Sequence, residues 1–136
     1  MDLPALPPYI IAFAMNPNGR RRLWQGLAGL LGAAGVALAA ASAHLAASAQ
    51  APNLQLASGF LVFHALALLG VAALSHAGAR WLAVAGALLA FGSICFSGGL
   101  VLVTIAGQGL APLVPVGGTA LILGWIALAV SAVFDR

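Results

Sequence analysis

Over residues 23–79, and again over residues 81–134, the chain carries no Asp, Glu, Lys or Arg. Stretches of that length without formal charge cannot clothe a water-facing surface. A soluble domain has about a quarter of its residues charged and roughly half apolar. Here the charged share is 5% and the hydrophobic share 63% of 136 residues. The chain is one domain's worth of material that dissolves in lipid.

A spanning helix needs about 20 predominantly apolar residues. Short polar or Gly/Pro-containing breaks divide the uncharged stretches into four such segments, predicted at residues 23–46, 56–75, 81–106 and 113–134. The bilayer core offers the backbone no water to bond, so each segment is expected to be a helix. A barrel would need alternating strands of about ten residues, which the sequence lacks. The expected fold is all-α: an integral-membrane four-helix bundle of antiparallel neighbours occupying residues 20–136. Residues 1–19 contain Pro4, Pro7, Pro8 and Pro17, which disfavour a long helix. They are expected to be a peripheral or poorly ordered extension, or, as far as residue 14, to lie upstream of a natural start at Met15.

Four crossings place Arg20, Arg21, Arg22, Arg80 and Arg136 on one side and leave the other two loops uncharged. Positive loops face the cytoplasm, so both termini are expected there, in a multi-pass protein of the bacterial cytoplasmic (inner) membrane. Trp24 and Trp81 fall where an interfacial aromatic belt would lie, whereas Trp125 falls inside the fourth segment. The net charge of +3 does not point to nucleic acid. There is no lysine, and three of the arginines form one run at a helix end, where they meet anionic headgroups. Ala47-Ser48-Ala49 after an arginine-led apolar run resembles a signal-peptide cleavage site, but the run exceeds the 7–15 residues usual for a signal and three further spans follow. The lone Cys95 excludes an intrachain disulfide.

Helices in lipid associate through small residues that let backbones approach. Gly26, Gly29, Gly32 and Gly35 form a winding stripe on the first helix, and Gly98, Gly99, Gly117 and Gly118 offer contacts on the third and fourth. Packing inside the bundle is the expected use, and a homodimer face is the alternative.

At 1.5 Å per residue, His64 lies roughly 12 Å below the surface opposite the arginines and Cys95 roughly 10 Å below it. Ser93 and Ser97, four apart, share a face. His44 lies nearer the surface, and His76 in a loop at the arginine side. The polar side chains His44, His64, Ser93, Cys95 and Ser97 thus gather in one half of the membrane. They suit three uses. They could clamp helices together through hydrogen bonds of about 0.6 kcal/mol each. They could form a metal or haem site, although one cysteine, no carboxylate and no His pair four apart cannot close a zinc site. They could line a small-molecule or proton path, although no Asp or Glu lies within a span. No phosphate loop, H-E-x-x-H or G-x-S-x-G pattern occurs, and a thiol in lipid is inert.

Ala43-His44 closing the Gly/Ala-rich first helix, F-H-A-L-A-L-L-G at 63–70, F-S-G-G-L at 96–100 and P-V-G-G at 115–118 followed by Gly124-Trp125 occur in one order. That ordered set, over about residues 20–133, resembles the family called domain of unknown function 423, small four-helix inner-membrane proteins of bacteria with a related eukaryotic protein. The resemblance implies the topology derived above and no activity. It singles out His44, His64, Ser97, Gly98, Pro115, Gly117 and Gly118. Where the family resembles R-Y-Q-x-Y-H, this chain has Gly59-Phe60-Leu61-Val62-Phe63-His64, so if a polar route leads to that histidine in the family, this chain has stripped its outer part.

The expectation is therefore a membrane protein that is not an enzyme, with no cofactor and no metal. It would be an accessory or structural subunit, or assembly partner, of a larger complex or homo-oligomer. The alternatives are a small transporter or carrier using His44, His64 and Ser97, and more weakly a haem- or copper-binding subunit.

Overall fold

In the computed structural model, residues 16–45, 49–106 and 112–135 are described. They form four helices: α1 Pro17–His44, α2 Ala51–Leu74, α3 Arg80–Ala106 and α4 Leu113–Phe134. Each is long and apolar enough to cross a membrane. The shortest has 22 residues, roughly 33 Å at 1.5 Å each, against a hydrocarbon core of about 30 Å. The chain is an integral-membrane four-helix bundle.

Two helices start earlier than the hydropathy pattern predicts, and both carry a proline in the first turn. Asn16 accepts the Asn18 N–H on its side chain at 3.0 Å, and a proline occupies the first turn of α1. A first-turn proline lacks only an N–H that has no helical acceptor. So the arginine run lies inside the helix, and residues 17–19 belong to α1 rather than to a terminal extension. The same logic places Pro52, read as a break, in the first turn of α2. The expectation for residues 1–15, and that for Arg136, fall outside the described residues.

Packing follows chain order: α1 lies along α2, α2 along α3 and α3 along α4, while α1 meets α3 only slightly. The apolar core, including Trp24, Leu31, Leu68, Val71, Leu82 and Leu89, lies largely in the half nearer the arginine-bearing end. Trp24 departs from the expected belt position. It is 6% exposed, seated on Gly86, where an added Cβ would come within 2.9 Å of its ring.

Polar groups close the arginine-bearing end. The loop between α2 and α3 turns at Gly78, whose φ of +86° suits glycine. Arg20 reaches across from α1 and donates to the His76 carbonyl at 2.8 Å and the Ala79 carbonyl at 3.1 Å. Asp135, just past α4, accepts the backbone N–H groups of Arg80 at 3.1 Å, Trp81 at 3.2 Å and Leu82 at 2.8 Å. An aspartate from one helix thereby caps the N-terminus of another.

The glycine stripe on α1 is used at one end only. A Cβ on Gly35 would lie 2.6 Å from Val62 Cγ2 and 3.2 Å from the Ser58 carbonyl, and Gly32 makes ordinary contact with Ala65 at 3.7 Å. Gly26 and Gly29 have no atom within 4 Å. At about 100° per residue, each step of three falls about 60° short of a full turn. Gly26 and Gly35 therefore face opposite sides, and only the latter meets α2. On α3 and α4, Gly99 packs on Val114 and Gly117 on the Phe96 backbone, Gly118 is 3.8 Å from the Phe96 ring, and Gly98 touches nothing. The close approaches at Gly86, Gly92 and Gly124 escaped the sequence reading, because isolated glycines carry no spacing signal.

Candidate functional site: a histidine–tryptophan pair beside a lateral groove

His64 sits just past the middle of α2 and is 3% exposed. Its Nδ1 lies 2.8 Å from the Phe60 carbonyl one turn earlier. A carbonyl only accepts, so Nδ1 carries the proton, and Nε2 presents its lone pair. The Trp125 indole of α4, which can only donate, supplies its N–H to Nε2 at 3.3 Å. Both partners thus specify one neutral tautomer, and an imidazolium would lose the bond to Trp125.

Aromatic rings frame the pair. Phe60 stacks on His64 at 5.7 Å between centroids and on Phe96 of α3 at 4.3 Å. Phe63 meets His64 edge-on at 5.3 Å and Trp125 at 5.8 Å. Phe60, four residues before His64 and on the same face of α2, links the imidazole to Phe96 of α3, while Trp125 brings in α4.

Beside the pair runs a groove of about 850 Å³ between α2 and α4, lined also by Phe96 of α3 and, toward the start of α2, by Pro52 and Gln55. Its lining is almost wholly apolar. Leu56 and Phe63 from α2, and Ile122 and Trp125 from α4, form its walls.

The five polar residues grouped by depth do not form one cluster. Ser93 donates to the Leu89 carbonyl of its own helix at 2.6 Å. Ser97 donates across to the Ala57 carbonyl of α2 at 3.1 Å. Cys95 is half-buried with a free thiol; two residues from each serine, it points to another face. His44 is exposed as the last residue of α1, apart from the His64 pair. Equal depth gathers side chains into a layer but does not turn them toward each other. Ser58, unmarked in the sequence reading, bridges α2 to the Gly35 carbonyl of α1 at 2.8 Å. Trp125 was also passed over as a partner. Its signal was present: an indole N–H well inside a span needs an acceptor.

Residues 31–118 match a family described as protein of unknown function (DUF423). The chain belongs to the DUF423 family. No solved structure matches it. The DUF423 match runs from the middle of α1 into α4 and takes in Gly35, Ser58, His64, Ser97 and Gly117, while Trp125 lies beyond it. The DUF423 assignment brings no activity with it. What this DUF423 bundle can do has to be read from its side chains. A neutral imidazole with both nitrogens engaged has no free lone pair for a metal or a proton. Among the described residues, no three His, Cys, Asp or Glu side chains come together.

Proposed function

We propose that this DUF423 protein is an accessory or structural subunit of a larger membrane assembly, not an enzyme. We place it in the bacterial cytoplasmic membrane with its arginine-bearing end inside. The observation that carries this reading is how the polar side chains are used. Every described serine and threonine hydroxyl donates to a backbone carbonyl, and the imidazole of His64 is satisfied on both sides. Ser58, Ser97 and the His64–Trp125 pair bond across helices and so hold and register them, while the other hydroxyls donate to carbonyls of their own helices. Transport and catalysis need groups held open toward a path or a substrate. A carrier would need His44, His64 and Ser97 along one route, yet each is engaged or exposed at a separate place. A haem or copper subunit would need an imidazole nitrogen that His64 has already committed.

Orientation rests on Arg20, Arg21, Arg22 and Arg80, which share one end of the bundle, and on the positive-inside rule. The test is cross-linking in native membranes followed by extraction in mild detergent. A subunit should migrate with a partner protein at fixed stoichiometry. Recovery of the chain alone, as a monomer, from cross-linked membranes would sink the proposal.

A further inference from the structure

We propose that the groove between α2 and α4 is a binding site for one acyl chain of a phospholipid in the leaflet at the arginine-free end. The groove is continuous with the surface the bundle presents to lipid. Its walls include Phe63 and Ile122, which are 58% and 64% exposed. From Pro52 to His64 it follows α2 for twelve residues, roughly 18 Å at 1.5 Å each. One leaflet of a hydrocarbon core about 30 Å thick is about 15 Å deep. Its volume of about 850 Å³ falls within the roughly 300–1,000 Å³ of ligand pockets.

The lining selects among occupants. Gln55 lines the groove near the start of α2, toward the membrane surface at the arginine-free end. Below it the walls are aliphatic and aromatic, and the two polar groups at the inner end, His64 and Trp125, are bonded to each other. A water there would lack the two to four polar partners it needs. A transmembrane helix would need small residues along the rim for its backbone to approach. Leu56, Phe63, Ile122 and Trp125 instead hold a rigid backbone off, while a flexible chain can thread between them. Gly59 and Gly118 supply the recess: a Cβ on Gly59 meets nothing within 4 Å, and one on Gly118 meets only the Phe96 ring at 3.8 Å. Side chains placed at these positions would fill the groove without displacing the fold.

Those glycines define an experiment on the full chain, independent of any partner protein. Wild type, Gly59→Leu, Gly118→Leu and the off-groove control Gly26→Leu are reconstituted in vesicles of phosphatidylethanolamine and phosphatidylglycerol. Each is then extracted in mild detergent and weighed by native mass spectrometry, with helicity checked by circular dichroism. Wild type and Gly26→Leu should retain one phospholipid per chain, and both groove variants should lose it while keeping full helicity. Three results would overturn the proposal: no retained lipid in wild type, equal retention in folded groove variants, or a wild-type dimer that Gly59→Leu dissociates. The last would assign the groove to a second copy. If both groove variants misfold, the bulkier Ile122→Trp at the rim replaces them under the same criteria.

Discussion

His64 has two ring nitrogens and two partners, so removing one partner strands a polar atom in hydrocarbon. Trp125→Phe keeps an aromatic side chain but deletes the donor, and should destabilise the bundle by at least about 1 kcal/mol, since an unmade buried hydrogen bond costs about 1–3. His64→Leu strands the indole N–H instead and should cost a similar amount. The double variant should be more stable than the two losses summed, with a coupling of about 0.6 kcal/mol, the average for interhelical bonds in membranes. Unfolding in mixed micelles measures all four corners of that cycle. Additive losses would show that the 3.3 Å contact holds nothing. This pairing was only half legible in the sequence. A histidine at its depth and a tryptophan outside the belt were each conspicuous, but 61 residues separate them, and no local spacing connects them.

At the scale of helices, contact depends on where backbones come closest. A methyl group on Gly117 would run into the Phe96 backbone and come within 2.9 Å of the Cys95 carbonyl carbon. Backbone cannot rotate away as a side chain can, so Gly117→Ala should force α4 off α3 and cost about 1–3 kcal/mol, as overpacking usually does. Gly98→Ala, one helix away in open space, should be neutral within about 0.5 kcal/mol. The same micelle unfolding assay reads both, and equal effects would mean that the α3–α4 contact is not as close as described. In sequence the two glycines looked alike, each half of a Gly-Gly pair. Small residues announce that close packing is possible. Which of them is used depends on the rotation of each helix about its axis.

Across the whole molecule, the arginine-bearing end is locked by groups that looked like topology signals or went unnoticed. Arg20 ties α1 to the loop between α2 and α3, and Asp135 ties α4 to the start of α3. Desolvation pushes the Asp135 carboxyl up, but the N–H groups of Leu82, Trp81 and Arg80, with the nearby His76, outweigh it and hold the carboxyl below its ordinary value. A carboxyl lowered in the folded state contributes stability above the ordinary aspartate value of about 3.9, and that contribution fades as pH falls through the lowered value. Thermal unfolding of wild type and Asp135→Asn in detergent should therefore differ at neutral pH and converge at strongly acidic pH. A gap that persists undiminished in acid would show that charge at Asp135 does not close this end.

The scarcity of charge, the lengths of the apolar runs and the one-sided arginines were enough to determine four membrane-spanning helices with short antiparallel connections. These properties belong to single segments meeting lipid, and a segment meets lipid the same way whatever its neighbours do. Helix starts at Pro17 and Ala51 escaped the hydropathy pattern, because a first-turn proline reads as a break until its missing N–H is counted. The pairing of His64 with Trp125, the dispersal of Ser93, Cys95 and His44 to separate surroundings, and the groove beside Gly59 were decided only in the tertiary structure. Each depends on the rotation and tilt of one helix against another. In lipid no hydrophobic stripe sets that rotation, because every face of a spanning helix can be apolar.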